Sequence, residues 1–227
     1  MNLGGLGYAV DIVFVIDVTG SMHPVIDQVK QGALTFHDRL IEVMATKGKH
    51  IDQLRLRAIA YRDFHDSPTD ALAETPFFPL PHDQAAFEAF VRGLVADGGG
   101  DEPETGLEAL AVAVQSAWER SMDRRRHIVV VFTDASAHPL EVAVGRRIHG
   151  YPATPPSLDA LSDLWDDPAG RAMEFAAKRL LLFAPDVYPW DLISSSWDNV
   201  IHFPSRAGEG LGELEMGMII DAIAGSV

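Results

Sequence analysis

Cysteine is absent from this 227-residue chain. That excludes a disulfide scaffold, a thiolate zinc site, an iron–sulfur cluster and a cysteine nucleophile. Basic residues are scarce: 18 Lys and Arg stand against 33 Asp and Glu, for a net charge of −15. Phosphate backbones repel such a surface, so general nucleic-acid binding is excluded. The one basic cluster, Arg120 with Arg124, Arg125 and Arg126, reads as a solvated turn before a strand. Long apolar runs are missing as well. None approaches the ~20 residues that cross a bilayer, so no membrane span is expected. The opening MNLGGLGYAVDIVFVIDVTG has no basic leader region, so no signal peptide is read. A cytoplasmic protein is the expectation.

Several catalytic and phosphate-binding patterns are also missing. No GxxxxGK[ST] phosphate loop, GxSxG nucleophile elbow, HExxH pair or EF-hand loop occurs. The run Leu3-Gly4-Gly5-Leu6-Gly7 precedes the first strand, whereas a dinucleotide loop must follow one.

What is present is apolar content of 47%, enough for a full core without staples. Val10 to Ile16 is apolar on both faces after Asp11, as a central parallel strand requires. Leu54 to Tyr61, His127 to Thr133, Arg179 to Ala184 and Val200 to Phe203 read as further strands, with Phe77 to Leu80 as a short one near an edge. Apolar spacing of three and four predicts helices over about 24–45, 84–94, 104–121, 157–164, 171–178, 190–195 and 212–224. This alternation predicts an α/β fold: an open, mostly parallel sheet with helices on both faces. A single domain over 1–227 is expected, with an irregular insert at about 139–167 that is long enough to suggest a functional role. Trp165, Tyr188, Trp190 and Trp197 lie in this later, proline-broken region. They either pin irregular loops to the core or form an exposed patch for a partner.

Ligands of open α/β sheets bind where strands end at the carboxyl edge. Three acidic segments fall at such ends: Asp17-Val18-Thr19-Gly20-Ser21, Asp101 in the glycine loop, and Asp134 after a strand. Carboxylates converging in one crevice repel one another unless a cation lies between them. Carboxylate, hydroxyl and water are hard donors, which favour Mg2+ or Mn2+. No histidine lies within the three segments, so zinc is a poor fit there. The i, i+2, i+4 spacing of Asp17, Thr19 and Ser21 suits a chain curling around a small ion. The same hydroxyls, read alone, suit a helix cap. Asp63 ends another strand, in Tyr61-Arg62-Asp63-Phe64. It either orients waters or Ser/Thr hydroxyls behind the metal or pairs with Arg62 or another surface base. His65, Asp66 and His138 read as loop residues.

FVIDVTGSM, AYRDF, GGGDEPE and VFTDAS, in this order, resemble a von Willebrand factor A (VWA) domain with a metal-ion-dependent adhesion site (MIDAS). The likeness runs over about residues 8–224, and its nearest flavour is that of intracellular bacterial VWA proteins. The resemblance implies that the hydroxyls of Thr19 and Ser21 contact the metal and that Asp17 and Asp134 act through water. Asp101 stands where many members carry a metal-facing threonine. It implies a metal-dependent protein–protein interaction module, with no catalytic residues. An acidic side chain of a partner would complete the Mg2+ shell, and that partner could be a kinase, phosphatase or AAA ATPase encoded nearby. The alternative is a Mg2+-dependent phosphoryl-transfer hydrolase with Asp17 as nucleophile. It lacks both an acid or base two residues further on, where Thr19 stands, and a clear cation for the phosphoryl group.

Overall fold

A computed structural model describes residues 7–66, 68–99, 102–140 and 150–205. Its elements are, in chain order, β1 (Tyr8–Asp17), α1 (Ile26–Thr46), β2 (Gln53–Tyr61), β3 (Leu72–Glu74), β4 (Phe78–Leu80), α2 (Gln84–Gly93), α3 (Gly106–Val114), β5 (Arg124–Phe132), α4 (Leu158–Trp165), β6 (Lys178–Pro185), α5 (Trp190–Ser196) and β7 (Val200–Ser205). A 3-10 turn over Gly20–Met22 separates β1 from α1.

The strands form one sheet in the order β3-β2-β1-β5-β6-β7, with β4 also on β2. All neighbours are parallel except β3 and β4, which run antiparallel to the outer edge of β2. Alternation along β1 sorts its side chains. Val10, Ile12, Phe14 and Ile16 join the core under α1 and α2. Val13 and Val15 join the core under α3, α4 and α5. Each large apolar side chain removed from water contributes about 1.5–3 kcal/mol, and β1 is buried along nearly all its length. The open, mostly parallel, helix-flanked sheet is the architecture expected from the sequence.

Register positions the functional edge. Asp17 lies opposite Tyr61 of β2, and Ile16 lies opposite Phe132 of β5. The segments after Asp17, Tyr61 and Phe132 therefore emerge at one height.

Two local expectations are corrected, and one short strand, β3, was not expected. The helix expected over 104–121 runs only over Gly106–Val114, because the chain leaves it to serve a buried carboxylate. Trp118 Nε1–H donates to the Val114 carbonyl (3.0 Å), and the Glu119 N–H donates to Asp11 Oδ2 (2.7 Å). Residues 171–178 are turns rather than helix. Gly170 has φ +62°, Glu174 pairs with Arg125, and Lys178 opens β6. The strand β3 has only three residues and no alternation long enough to read. The helix expected over 212–224 lies outside the described residues, as does part of the insert.

The tryptophans pin the later region. Trp165, Trp190 and Trp197 are buried, while Tyr188 is exposed. Trp165 and Trp197 stack at 5.1 Å. Trp190 matters most for the edge: its Nε1–H donates to the Ala135 carbonyl (2.9 Å), and its ring lies against Gly106, where an added Cβ would come within 2.8 Å of Cζ2.

Candidate functional site

The carboxyl ends of β1 and β5 bring the first cluster together. Thr19 Oγ1–H donates to Asp17 Oδ1 (2.6 Å), as does the Thr19 N–H (2.9 Å). Thr133 Oγ1–H donates to Asp17 Oδ2 (2.7 Å). Ser21 Oγ–H donates to Asp134 Oδ1 (2.8 Å). The Thr19 and Ser21 hydroxyl oxygens are 3.2 Å apart. With their protons given to Asp17 and Asp134, both hydroxyls keep lone pairs for a cation. Thr19 shows no capping bond to the turn that follows it, and the hydroxyl of Ser21 is turned to Asp134.

Asp17, Thr19, Ser21 and Asp134 are thus brought together. Asp101 lies outside the described residues. Asp63 stands on the neighbouring loop, where it accepts from Thr105 Oγ1–H (3.0 Å) and from the His65 N–H (3.1 Å). Arg62 does not pair with it. Its guanidinium instead holds the carbonyls of Val95 (2.9 Å) and Asp97 (2.8 Å).

Glu104 is a residue that the sequence reading passed over as the start of a helix. It is 5% exposed, and its Oε2 has no hydrogen-bond partner. Its backbone is fastened to the segment after β5, with its N–H donating to the Ser136 carbonyl (3.0 Å) and its carbonyl accepting from the His138 N–H (2.9 Å). Gly99, at φ +78°, lets the glycine loop pass close above it. A Cβ there would come within 2.7 Å of Glu104 Oε1 and 3.0 Å of Thr19 Cβ. The available signal was a glutamate after proline in a glycine-rich loop that carries other acids.

Electrostatics mark the cluster as short of positive charge. Burial pushes Glu104 up to about 8, and the charges of Asp17, Asp63, Asp66 and Asp134 add to the shift. Burial pushes Asp17 up to about 6, against the hydrogen bonds from Thr19 and Thr133. Asp134 is raised too, again chiefly by burial. Among the described residues, no Lys or Arg forms an ion pair with Asp17, Glu104 or Asp134. Asp134 Oδ2 is a second buried oxygen without a partner. Carboxylate and hydroxyl oxygens are hard donors, the chemistry that suits a divalent cation such as Mg2+.

A second cluster lies beside the first. Asp63, His65 and His138 each offer a ligand atom, and these atoms lie within 4.8 Å of one another, so the trio could hold a metal ion. His65 and His138 are far apart in sequence, and the folds of two loops unite them.

Residues 11–144, more than half of the chain, match the family model of the von Willebrand factor A domain. The chain belongs to that family. It is similar to the alpha-protein kinase vwkA of Dictyostelium discoideum, at 28% identity over 158 residues, which make up 70% of this chain and 23% of the kinase. Its structure is similar to the pilus adhesin SpaC of Lactobacillus rhamnosus GG, with a TM-score of 0.56 and 12% identity over 97% of this chain and 32% of the adhesin. It is also similar to proximal thread matrix protein 1 of the mussel byssus, with a TM-score of 0.50 and 12% identity over 96% of this chain and 46% of that protein. The chain spans under a quarter of the kinase and under half of either structural neighbour. At 12% identity the likeness shows the fold alone. The narrower expectations, of an intracellular bacterial VWA protein and of a cytoplasmic location, are overturned. The structural neighbours belong to a pilus and a byssal thread, not to the cytoplasm.

Proposed function

We propose that this domain is a metal-dependent protein-interaction module whose carboxyl edge holds Mg2+ or Mn2+ between the first and third acidic segments. The observation that carries the reading is the meeting of Asp17, Thr19, Ser21 and Asp134, with the Glu104 backbone fastened to the segment after Asp134, two buried carboxylate oxygens unpartnered and no cationic side chain paired to these acids among the described residues. Thr19 and Ser21 offer hydroxyl oxygens. Asp17 accepts hydrogen bonds on both carboxylate oxygens, so it orients Thr19 from behind. Asp134 orients Ser21 and keeps one oxygen without a partner. Glu104 supplies a carboxylate from the α3 side. A bound divalent cation would offer a Lewis-acidic position to an acidic side chain of a partner protein. Mg2+ gives up water reluctantly, so such a partner must add contacts from the surrounding loops, and the insert that carries Tyr151 is the proposed selector.

The geometry does not support Asp17 as a nucleophile. Its side chain is buried, and both oxygens are engaged.

Calorimetric titration of Mg2+ into the chain tests the reading. Binding is expected in the wild type, with affinity at least ~10-fold weaker in Ser21→Ala and Asp134→Ala. Equal Mg2+ affinity in all three proteins would contradict it.

A further inference from the structure

We propose that Asp63, His65 and His138 form a second divalent-cation site, selective for a borderline transition metal of the zinc type, that fastens the loop after β2 to the loop after β5. The proposal stands apart from the Mg2+ reading, because it uses different side chains and a different donor chemistry. His138 Nε2 lies 3.5 Å from Asp63 Oδ2. The His65 and His138 rings are 4.4 Å apart, tilted by 47°. Two imidazoles and one carboxylate suit zinc-type ions, whereas Mg2+ demands an oxygen shell of near-octahedral shape. Three protein ligands leave a fourth position open for water or a partner's side chain.

The ligands are held in place by their surroundings. Asp63 is buried, and its Oδ1 is occupied by Thr105 and by the His65 N–H, which leaves Oδ2 toward His138. Thr105 is itself fixed, because its Oγ1 accepts from the Phe64 N–H (2.9 Å). The His138 backbone is tied to the Glu104 carbonyl. Such hydrogen bonds to ligating groups set their orientation and basicity. Phe64, next to both Asp63 and His65 in the chain, packs its ring 5.0 Å from that of Tyr151, whose Oη–H donates to Glu108 Oε1 (2.5 Å). His65 is exposed, which gives an ion a path from solvent.

The test titrates Zn2+ by calorimetry into chelator-treated, dialysed protein in excess Mg2+, and follows the visible absorption of bound Co2+ in parallel. The expected result is a Zn2+ site that Mg2+ does not displace. His138→Ala and His65→Ala should each weaken it at least ~10-fold and abolish the Co2+ band, while Ser21→Ala leaves both unchanged. Because His65 is exposed, its replacement carries little folding risk, and circular dichroism checks each variant. Failure of the wild type to bind Zn2+, equal affinity in both histidine variants, displacement by Mg2+, or equal loss in Ser21→Ala would each overturn the proposal.

Discussion

Strand β1 carries a buried aspartate toward each end, and the two are treated in opposite ways. Asp11, toward the amino edge, receives a two-pronged clasp from Arg55 (Nε to Oδ1 2.7 Å, Nη2 to Oδ2 2.5 Å) and the Glu119 N–H. Asp17, at the carboxyl edge, receives hydroxyls and an amide but no cationic side chain. Acids near the amino edge have protein partners throughout: Glu119 takes Ser121 and Gln53, and Glu174 takes Arg125. At the other edge, Asp17, Glu104 and Asp134 are pushed toward the protonated form. A buried acid that the chain neutralises is part of the scaffold. A group of buried acids left unneutralised is what the proposed cation would address.

Breaking the clasp should have the largest effect. Arg55→Ala strands Asp11 in the core and should cost about 3–5 kcal/mol of stability, read by denaturant titration, with Mg2+ affinity retained. Gly99→Ala comes next. It forces a Cβ against Glu104 and Thr19 at positive φ, which should cost about 1–3 kcal/mol and weaken Mg2+ binding. Asp17→Asn sharpens the contrast through its sign: the metal-free protein should lose less than about 1 kcal/mol or become more stable, because burial already disfavours the ionised acid. A loss as large as that of Arg55→Ala would erase the distinction between the edges.

The smallest effect per step is that of pH, and here the edges pull in opposite directions. Asp17 and Glu104 hold protons in the fold that the unfolded chain has already released. The stability they contribute to metal-free protein is therefore lost as pH rises through about 6 and about 8. Glu119, held down to about 2 chiefly by the Ser121 hydroxyl and amide, contributes in the other direction. Its share is complete above the ordinary glutamate range and is lost as pH falls toward about 2. Chemical denaturation across pH in chelator should show the first slope, and Asp17→Asn combined with Glu104→Gln should flatten it.

Much of the scaffold could be read along the chain because it is written in local patterns. The apolar runs of β1, β2, β5 and β6 need no knowledge of neighbours, and neither does the spacing of Asp17, Thr19 and Ser21. Features set by distant partners could not be read. The early end of α3 depends on Asp11, more than a hundred residues upstream. Glu104 looks like a helix-start acid until the loop after β5 is seen beside it. His65 and His138 look like ordinary loop residues until β2 and β5 bring their loops together. The helix expected over 171–178 has suitable apolar spacing, but Glu174 and Lys178 are drawn to partners elsewhere.

Trp190 adds a mechanical consequence. One indole is hydrogen-bonded to Ala135, next to Asp134, and rests on Gly106, two residues from Glu104. It acts as a strut between two acidic loops that have no covalent reason to move together. A tug on α5 would therefore reach both loops at once and leave the spacing between them unchanged.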